Sequence, residues 1–80
     1  MDAYILVESK HGPLREMAAA FQALAVSGSV VRAVDVVTGP YEFVIRVRAD
    51  NLDALSLLVS EGIQPVVGVA STTTCIAWRS

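Results

Sequence analysis

The side chains best placed for chemistry lie on a short turn between two runs of β-branched residues. Gly39 and Pro40 interrupt these runs. Proline has no amide hydrogen for a strand ladder and glycine reaches backbone angles that other residues avoid, so both indicate a turn. Tyr41 and Glu42 follow directly. A phenol and a carboxylate can both hydrogen-bond to a ligand, so this hairpin is a scaffold that ends in a recognition group.

Other reactive residue types are sparse. His11 is the single histidine and lies in a predicted loop without a clear partner, which favours a solvated surface residue over a catalytic or metal-binding one. Cys75 is the single cysteine, which excludes an internal disulfide, and its small and apolar neighbours predict a buried, unreactive thiol. The sequence has no carboxylate pair, His/Asp group or metal-ligand spacing. We therefore expect no catalytic residue, no metal and no cofactor.

The charge balance argues against direct nucleic-acid binding. The net charge is −2, whereas phosphate contacts usually require a basic patch. Arg32, Arg46 and Arg48 could cluster on the predicted hairpin, but three arginines are only weak evidence for a nucleic-acid-binding surface. The favoured interpretation is that these arginines lie on solvated strand faces or form ion pairs at an interface.

Six predicted elements must position these residues, in the order strand, helix, strand, strand, helix, strand. Alternation with a period of two marks the strands, and apolar residues at helical spacing mark the helices. The predicted bounds are Ala3–Glu8, Pro13–Val26, Val30–Thr38, Glu42–Ala49, a second helix that Asp50 caps and Gly62 ends, and Val69–Trp78.

Each helix has a predicted apolar stripe that should face a sheet. The stripe of the first helix comprises Leu14, Met17, Ala18, Phe21, Leu24 and Ala25. The stripe of the second comprises Leu52, Leu55, Leu58 and Val59.

The element order predicts an α+β fold of the ferredoxin-like βαββαβ plan, as one domain over residues 1–80. Right-handed crossovers place both helices on one face of a four-stranded antiparallel sheet. The other face, which we call the open face, should be polar in a monomer, yet the first strand is apolar on both sides. With 54% apolar residues in 80, the excess apolar surface predicts a homodimer that packs sheet on sheet.

The alternative to a partner chain is that a membrane covers this apolar surface. No apolar run approaches the ~20 residues of a spanning helix. The sequence begins Met1-Asp2, which is not the basic start of a signal peptide. We expect a cytoplasmic protein without membrane contact.

Two motifs carry a resemblance to a known family. Val37-Thr38-Gly39-Pro40-Tyr41-Glu42 is similar to the Val-Thr-Gly-x-Tyr-Asp of the Lrp/AsnC ligand-binding domain, also called the RAM domain. Gly68-Val69 with Thr72-x-Thr74 is similar to that family's Gly-Val-x-x-Thr-x-Thr. Together with the element order, the resemblance covers nearly the whole chain.

The resemblance implies a dimeric α/β barrel, dimers that assemble into octameric or decameric rings, and an effector site where dimers meet. The effector is usually an amino acid. Carried over by position, the implied ligand-binding residues are Thr38, Gly39, Tyr41, Glu42, Thr72 and Thr74. Glu42 would accept from an α-ammonium, while threonine hydroxyls and the Gly39 amide would donate to an α-carboxylate. The run Ser71–Thr74 fits an interface strand equally well.

The sequence departs from the family pattern at two points. Glu42 replaces the usual Asp and reaches one methylene further, which bears on the choice of effector. The family's regulators also carry an N-terminal helix-turn-helix, whereas Met1 directly precedes the first strand here. We therefore expect a stand-alone member that does not bind DNA directly and that could modulate a full-length regulator of the family through mixed oligomers.

Two other functional classes share the predicted plan. One is a small enzyme of the dimeric α/β-barrel type, such as a monooxygenase or an isomerase, which the missing catalytic constellation disfavours. The other is a purely structural oligomerisation module. A non-enzymatic sensor is the leading hypothesis, and loss of ligand affinity without loss of any turnover in a Glu42 variant would separate it from an enzyme.

Overall fold

A computed structural model of the chain describes residues 1–78 and confirms the predicted order of elements. The second helix continues without a break into a π-helical segment. The elements are β1 (Asp2–Ser9), α1 (Leu14–Gln22), β2 (Ser29–Val36), β3 (Phe43–Ala49), α2 (Leu52–Leu57), the π-helical segment (Leu58–Ile63) and β4 (Val69–Ile76).

The four strands form one antiparallel sheet in the order β2-β3-β1-β4. Strand β1 lies in the middle, with Ile5 opposite Ile45 of β3 and Thr74 of β4. Both helices pack on one side of the sheet, as the βαββαβ plan requires. The second and fourth strands are therefore the sheet edges.

The core lies between the sheet and the helices. Alternation works as predicted on β1 and β3, because every second residue is buried. The buried strand residues are Ala3, Ile5, Val7, Phe43, Ile45, Val47 and Ala49. From α1, Phe21 meets Phe43 edge to face with ring centroids 5.1 Å apart, a favourable arrangement for two aromatic rings.

The first helix is shorter than predicted. It ends at Gln22 rather than at Val26, and Leu14 and Ala25 of the predicted stripe are exposed. The chain leaves the helix because Leu24 and Val26 turn inward beside Gly62, where both side chains would lie 3.3 Å from an added Cβ. Tertiary packing thus overrides the helical spacing of these residues.

The N-cap of the second helix also differs from the predicted one. Asn51, not Asp50, is the N-cap: its side-chain oxygen accepts from the Ala54 amide at 2.8 Å. Leu52 faces solvent with 56% of its surface exposed, whereas Leu55 is buried as predicted. The glycine at position 62 lies inside the π-helical segment instead of ending the helix.

The open face is mixed rather than uniformly apolar. Its centre carries Tyr4, Leu6 and Val44, which alternate with the buried residues of β1 and β3. Cys75 pairs with Tyr4 across the β1–β4 ladder and is exposed. The prediction of a buried thiol is therefore wrong for a single chain.

Candidate functional site

The predicted recognition turn joins β2 to β3 and is fixed by backbone hydrogen bonds. The Val37 amide donates to the Glu42 carbonyl at 2.8 Å, which closes the loop. The Glu42 amide donates to the Val7 carbonyl at 2.9 Å and ties the turn to β1. The backbone of the turn is therefore held at both of its ends.

The Glu42 carboxylate is anchored on the end of β1. Its Oε1 atom accepts from the Ser9 amide at 2.5 Å and from the Ser9 hydroxyl at 3.0 Å. The side chain of Glu42 is half-buried, so these charge-assisted bonds fix its position. Sequence reasoning missed Ser9, because no local pattern connects two residues that are 33 positions apart.

The tip of the turn is open to solvent. Thr38, Gly39 and Pro40 are exposed, and Tyr41 is half-buried. Gly39 has φ 135°, and no atom lies within 4 Å of the position of an added Cβ. Glycine is needed there for its backbone angle and not for space. The tip presents a threonine hydroxyl and a backbone segment to any molecule that approaches.

The two predicted threonines lie on β4 and face the helices, not the open face. Thr72 stands opposite Val7 and Thr74 opposite Ile5, and both partners are core residues. The Gln64 side-chain amide donates to the Thr72 hydroxyl at 3.2 Å. Gln64 is a second residue that sequence reasoning missed.

Thr74 lines a groove between α2, the π-helical segment and the edge strand β4. The groove has a volume of about 400 Å³. Its walls are mostly apolar with a few hydroxyl and amide groups. The lining residues are Leu52, Leu55, Ser56, Val59, Ser60, Gln64, Thr74 and Ile76.

The six predicted ligand residues form two separate groups within one chain. Thr38, Gly39, Tyr41 and Glu42 share the turn, whereas Thr74 lines a groove whose walls include none of them. Thr72 and Phe43 flank Val7 on opposite sides of β1, and two strand spacings correspond to roughly 10 Å. One chain therefore does not bring the turn and the threonines into a single pocket.

The glycine of the second motif has a packing role. Gly68 has φ 101°, and an added Cβ would lie 2.7 Å from the Met17 sulfur and 3.0 Å from the Gly12 Cα. The carbonyl oxygen of Gly68 accepts a hydrogen bond from the Lys10 amide at 2.8 Å. This close approach of two backbones brings the β1–α1 loop against the start of β4.

Within residues 1–78, no group of three or more His, Cys, Asp or Glu side chains is arranged to hold a metal ion. His11 is exposed in the β1–α1 loop with φ 54°. No helix in this part of the chain is long and apolar enough to cross a membrane.

Comparison with solved structures places this geometry among known proteins. The protein TTHA0845 of Thermus thermophilus is 30% identical, with a TM-score of 0.85 over 99% of this chain and 94% of that one. AsnC of E. coli is 24% identical with a TM-score of 0.85, and this chain covers 51% of its length. The Neisseria meningitidis transcriptional regulator NMB0573, solved as an L-Met complex, is 16% identical with a TM-score of 0.83 over 98% of this chain and 49% of that one.

The last two likenesses show the shared fold alone. No curated protein sequence matches the chain. A family profile, the Lrp/AsnC ligand binding domain, matches residues 2–80. Because that match spans all but the first residue, the chain belongs to the Lrp/AsnC ligand-binding domain family.

Proposed function

We propose that this chain is a sensing and oligomerisation module of the Lrp/AsnC type, which binds an amino acid or a related small metabolite. The observation that carries the proposal is the family match over residues 2–80. The N. meningitidis regulator, which shares the fold, was solved with L-Met, and this supports an amino acid as the class of ligand.

The recognition chemistry proposed for the turn follows from its exposed groups. The Thr38 hydroxyl and the Gly39 amide can donate to an α-carboxylate. Glu42 can accept from an α-ammonium through the carboxylate oxygen that does not face Ser9, and Tyr41 supplies one wall. Because Ser9 fixes the carboxylate, its geometry is set before a ligand arrives, which lowers the cost of binding.

The separation of the two predicted groups supports a site between chains. The turn carries one group of predicted ligand residues, and β4 carries Thr72 and Thr74 beside the groove. We therefore propose that the turn of a chain in one dimer meets a chain of a second dimer to complete the site. The proposed assembly is a homodimer formed through the open faces, with dimers joined into an octameric or decameric ring. We propose a non-enzymatic, cytoplasmic role without direct nucleic-acid contact, in which a full-length family regulator is a further candidate partner.

A thermal-shift panel of the common amino acids tests the ligand class. A ligand at a hundred times its Kd stabilises a protein by roughly 2.7 kcal/mol, and each kcal/mol raises Tm by about 4–8 °C in a domain of this size. We expect one or a few amino acids to raise Tm by at least several degrees. If none does, the ligand is of another class or the module is a scaffold.

Two matched variants locate the site. Glu42→Gln keeps an oxygen that can accept from Ser9 but removes the charge that an α-ammonium requires, so the amino-acid shift should disappear while the unliganded Tm changes little. Ser9→Ala removes one hydrogen bond and keeps the charge, so the shift should persist. A full shift in Glu42→Gln would exclude this carboxylate from the site.

A further inference from the structure

Three arginine side chains surround a depression at one end of the sheet, near the start of β1. They are Arg32, Arg46 and Arg48, and Asp2 and Tyr4 complete the walls of this depression of about 280 Å³. We call the three arginines the arginine cluster. Pockets for small molecules in proteins have volumes of roughly 300–1,000 Å³, so the depression matches a ligand at the small end of that range.

A β-bulge in β2 supplies one of the three guanidinium groups. The register of β2 on β3 shifts between Val31 and Ala33, which makes Arg32 an extra residue in the ladder. Val31 and Val34 both pack against the core, although regular alternation puts residues three positions apart on opposite faces. Bulges are frequent beside active sites, where they redirect a side chain. Here the bulge adds Arg32 to the wall of the depression.

The other two guanidinium groups follow from the alternation of β3. Arg46 and Arg48 are two positions apart, so both face away from the core and lie about 7 Å from each other along the strand. Arg46 stands opposite Tyr4 of β1, and Arg48 stands opposite Asp2. Three like charges thus meet around one depression, and their mutual repulsion opposes folding unless opposite charge is present.

The described part of the chain supplies little of that opposite charge. The ion pair of Arg48 is long, with 3.7 Å between its Nη1 and Asp2 Oδ1. Among residues 1–78, neither Arg32 nor Arg46 has a carboxylate at ion-pair distance. All three arginines are exposed, so their N–H donors are available to a ligand.

We propose that the arginine cluster binds a phosphate-bearing small molecule. Each guanidinium group is a fork of N–H donors that matches two oxygens of a phosphate group. The Tyr4 hydroxyl, which is exposed in the same wall, can donate a further hydrogen bond. All of these groups belong to one chain, so the site does not require a partner to complete it.

The arginine cluster is a second site, separate from the turn proposed for the amino acid. Arg46 follows Glu42 by four residues and Arg48 follows it by six, which corresponds to roughly 13 and 20 Å along a strand. In the proposed open-face dimer, a bound phosphate group would also neutralise charge that is costly to bury unpaired. Carboxylates of a second copy are the competing source of opposite charge, and they would leave no room for a phosphate.

Isothermal titration calorimetry with inorganic pyrophosphate tests the site, in phosphate-free buffer with NaCl adjusted to keep the ionic strength constant. We expect saturable binding of one pyrophosphate per chain. Arg46→Gln removes one charged fork, and the Kd should rise by roughly 10-fold or more. Arg15→Gln is the matched control, because it makes the same change of charge at an exposed position of α1. It should leave the Kd within about twofold of the original value.

Thermal unfolding gives a second readout and shows that each variant is folded. Phosphate ions stabilise proteins generally because they are excluded from protein surfaces, so the informative quantity is the difference between variants. Pyrophosphate should raise the Tm of the wild type and of Arg15→Gln equally, and that of Arg46→Gln by clearly less. If Arg46→Gln does not unfold cooperatively, Arg32→Gln at the bulge repeats the test.

Three outcomes would overturn the proposal. Pyrophosphate could give no more heat than NaCl, as expected if the carboxylates of a second copy occupy the cluster. It could bind Arg46→Gln as tightly as the wild type, which would place the binding elsewhere. A short single-stranded oligonucleotide could bind while pyrophosphate does not, which would assign the arginines to nucleic acid. Amino-acid binding is measured separately, so each site can fail without the other.

Discussion

At the scale of single residues, Glu42 combines a structural bond with a proposed ligand contact. Its place in the turn could be predicted from the sequence, because Gly39 and Pro40 mark the bend. Its bond to Ser9 could not, since a hydrogen bond between a turn and the end of a distant strand depends on the register of the finished sheet. The same holds for Gln64 and Thr72.

Removal of the Glu42 side chain should cost stability as well as ligand affinity. Glu42→Ala leaves the half-buried Ser9 amide without its acceptor, and we expect the free energy of unfolding to fall by about 1–2 kcal/mol. Glu42→Gln should lose clearly less. Urea unfolding at one fixed protein concentration measures both. Equal losses in the two variants would mean that the hydrogen bond to Ser9 contributes nothing separable from the charge.

The two glycines of the family motifs should respond differently to alanine. Both Gly39 and Gly68 have positive φ, so each substitution carries a backbone cost of about 1 kcal/mol. Only at position 68 does the new Cβ also press on Met17 and Gly12. We therefore expect Gly68→Ala to lose about 1–3 kcal/mol more than Gly39→Ala, by urea unfolding. Similar losses would contradict the packing role of Gly68.

At the scale of elements, the order and the faces of the strands could be predicted, but the ends of the helices could not. Alternation identified the core residues of β1 and β3 because one face of each strand is buried. The end of α1 depends instead on where Leu24 and Val26 find space, which is beside Gly62, almost 40 positions later in the chain. A local pattern does not contain that information.

Substitutions at Asp50 and Asn51 distinguish the predicted N-cap of α2 from the observed one. Asn51→Ala removes the oxygen that accepts from the Ala54 amide, and we expect a loss of about 1 kcal/mol in the free energy of unfolding. Asp50→Ala should change stability by less than about 0.5 kcal/mol, because the bond from Asp50 to the Gly28 carbonyl uses the backbone amide. The reverse order of effects in thermal or urea unfolding would restore Asp50 as the cap.

At the scale of the whole molecule, the composition predicts that a partner covers part of the apolar surface, and the open face is the candidate for that surface. On the open face, apolar side chains lie between arginines near the start of β1 and carboxylates near its end. The sequence indicated clustered arginines but not their separation from Glu8 and Asp35, because the strand order β2-β3-β1-β4 decides which charges become neighbours.

Cys75 reports directly on whether the open face is covered. It is the single cysteine of the chain and is exposed on that face. Its reaction with a thiol reagent should slow at least several-fold as rising protein concentration drives dimer formation. A rate that stays constant while the mass doubles would place the interface elsewhere.

Native mass spectrometry of the purified chain, with and without a mixture of amino acids, tests sensing between copies because it measures the masses of the assembly and its ligand together. We expect an even number of copies and a mass increase equal to that of bound amino acid, and we expect Glu42→Gln to lose the mass increase while the assembly remains. A monomer, or an assembly that retains no amino acid at millimolar supply, would contradict the claim that this domain senses amino acids between its copies.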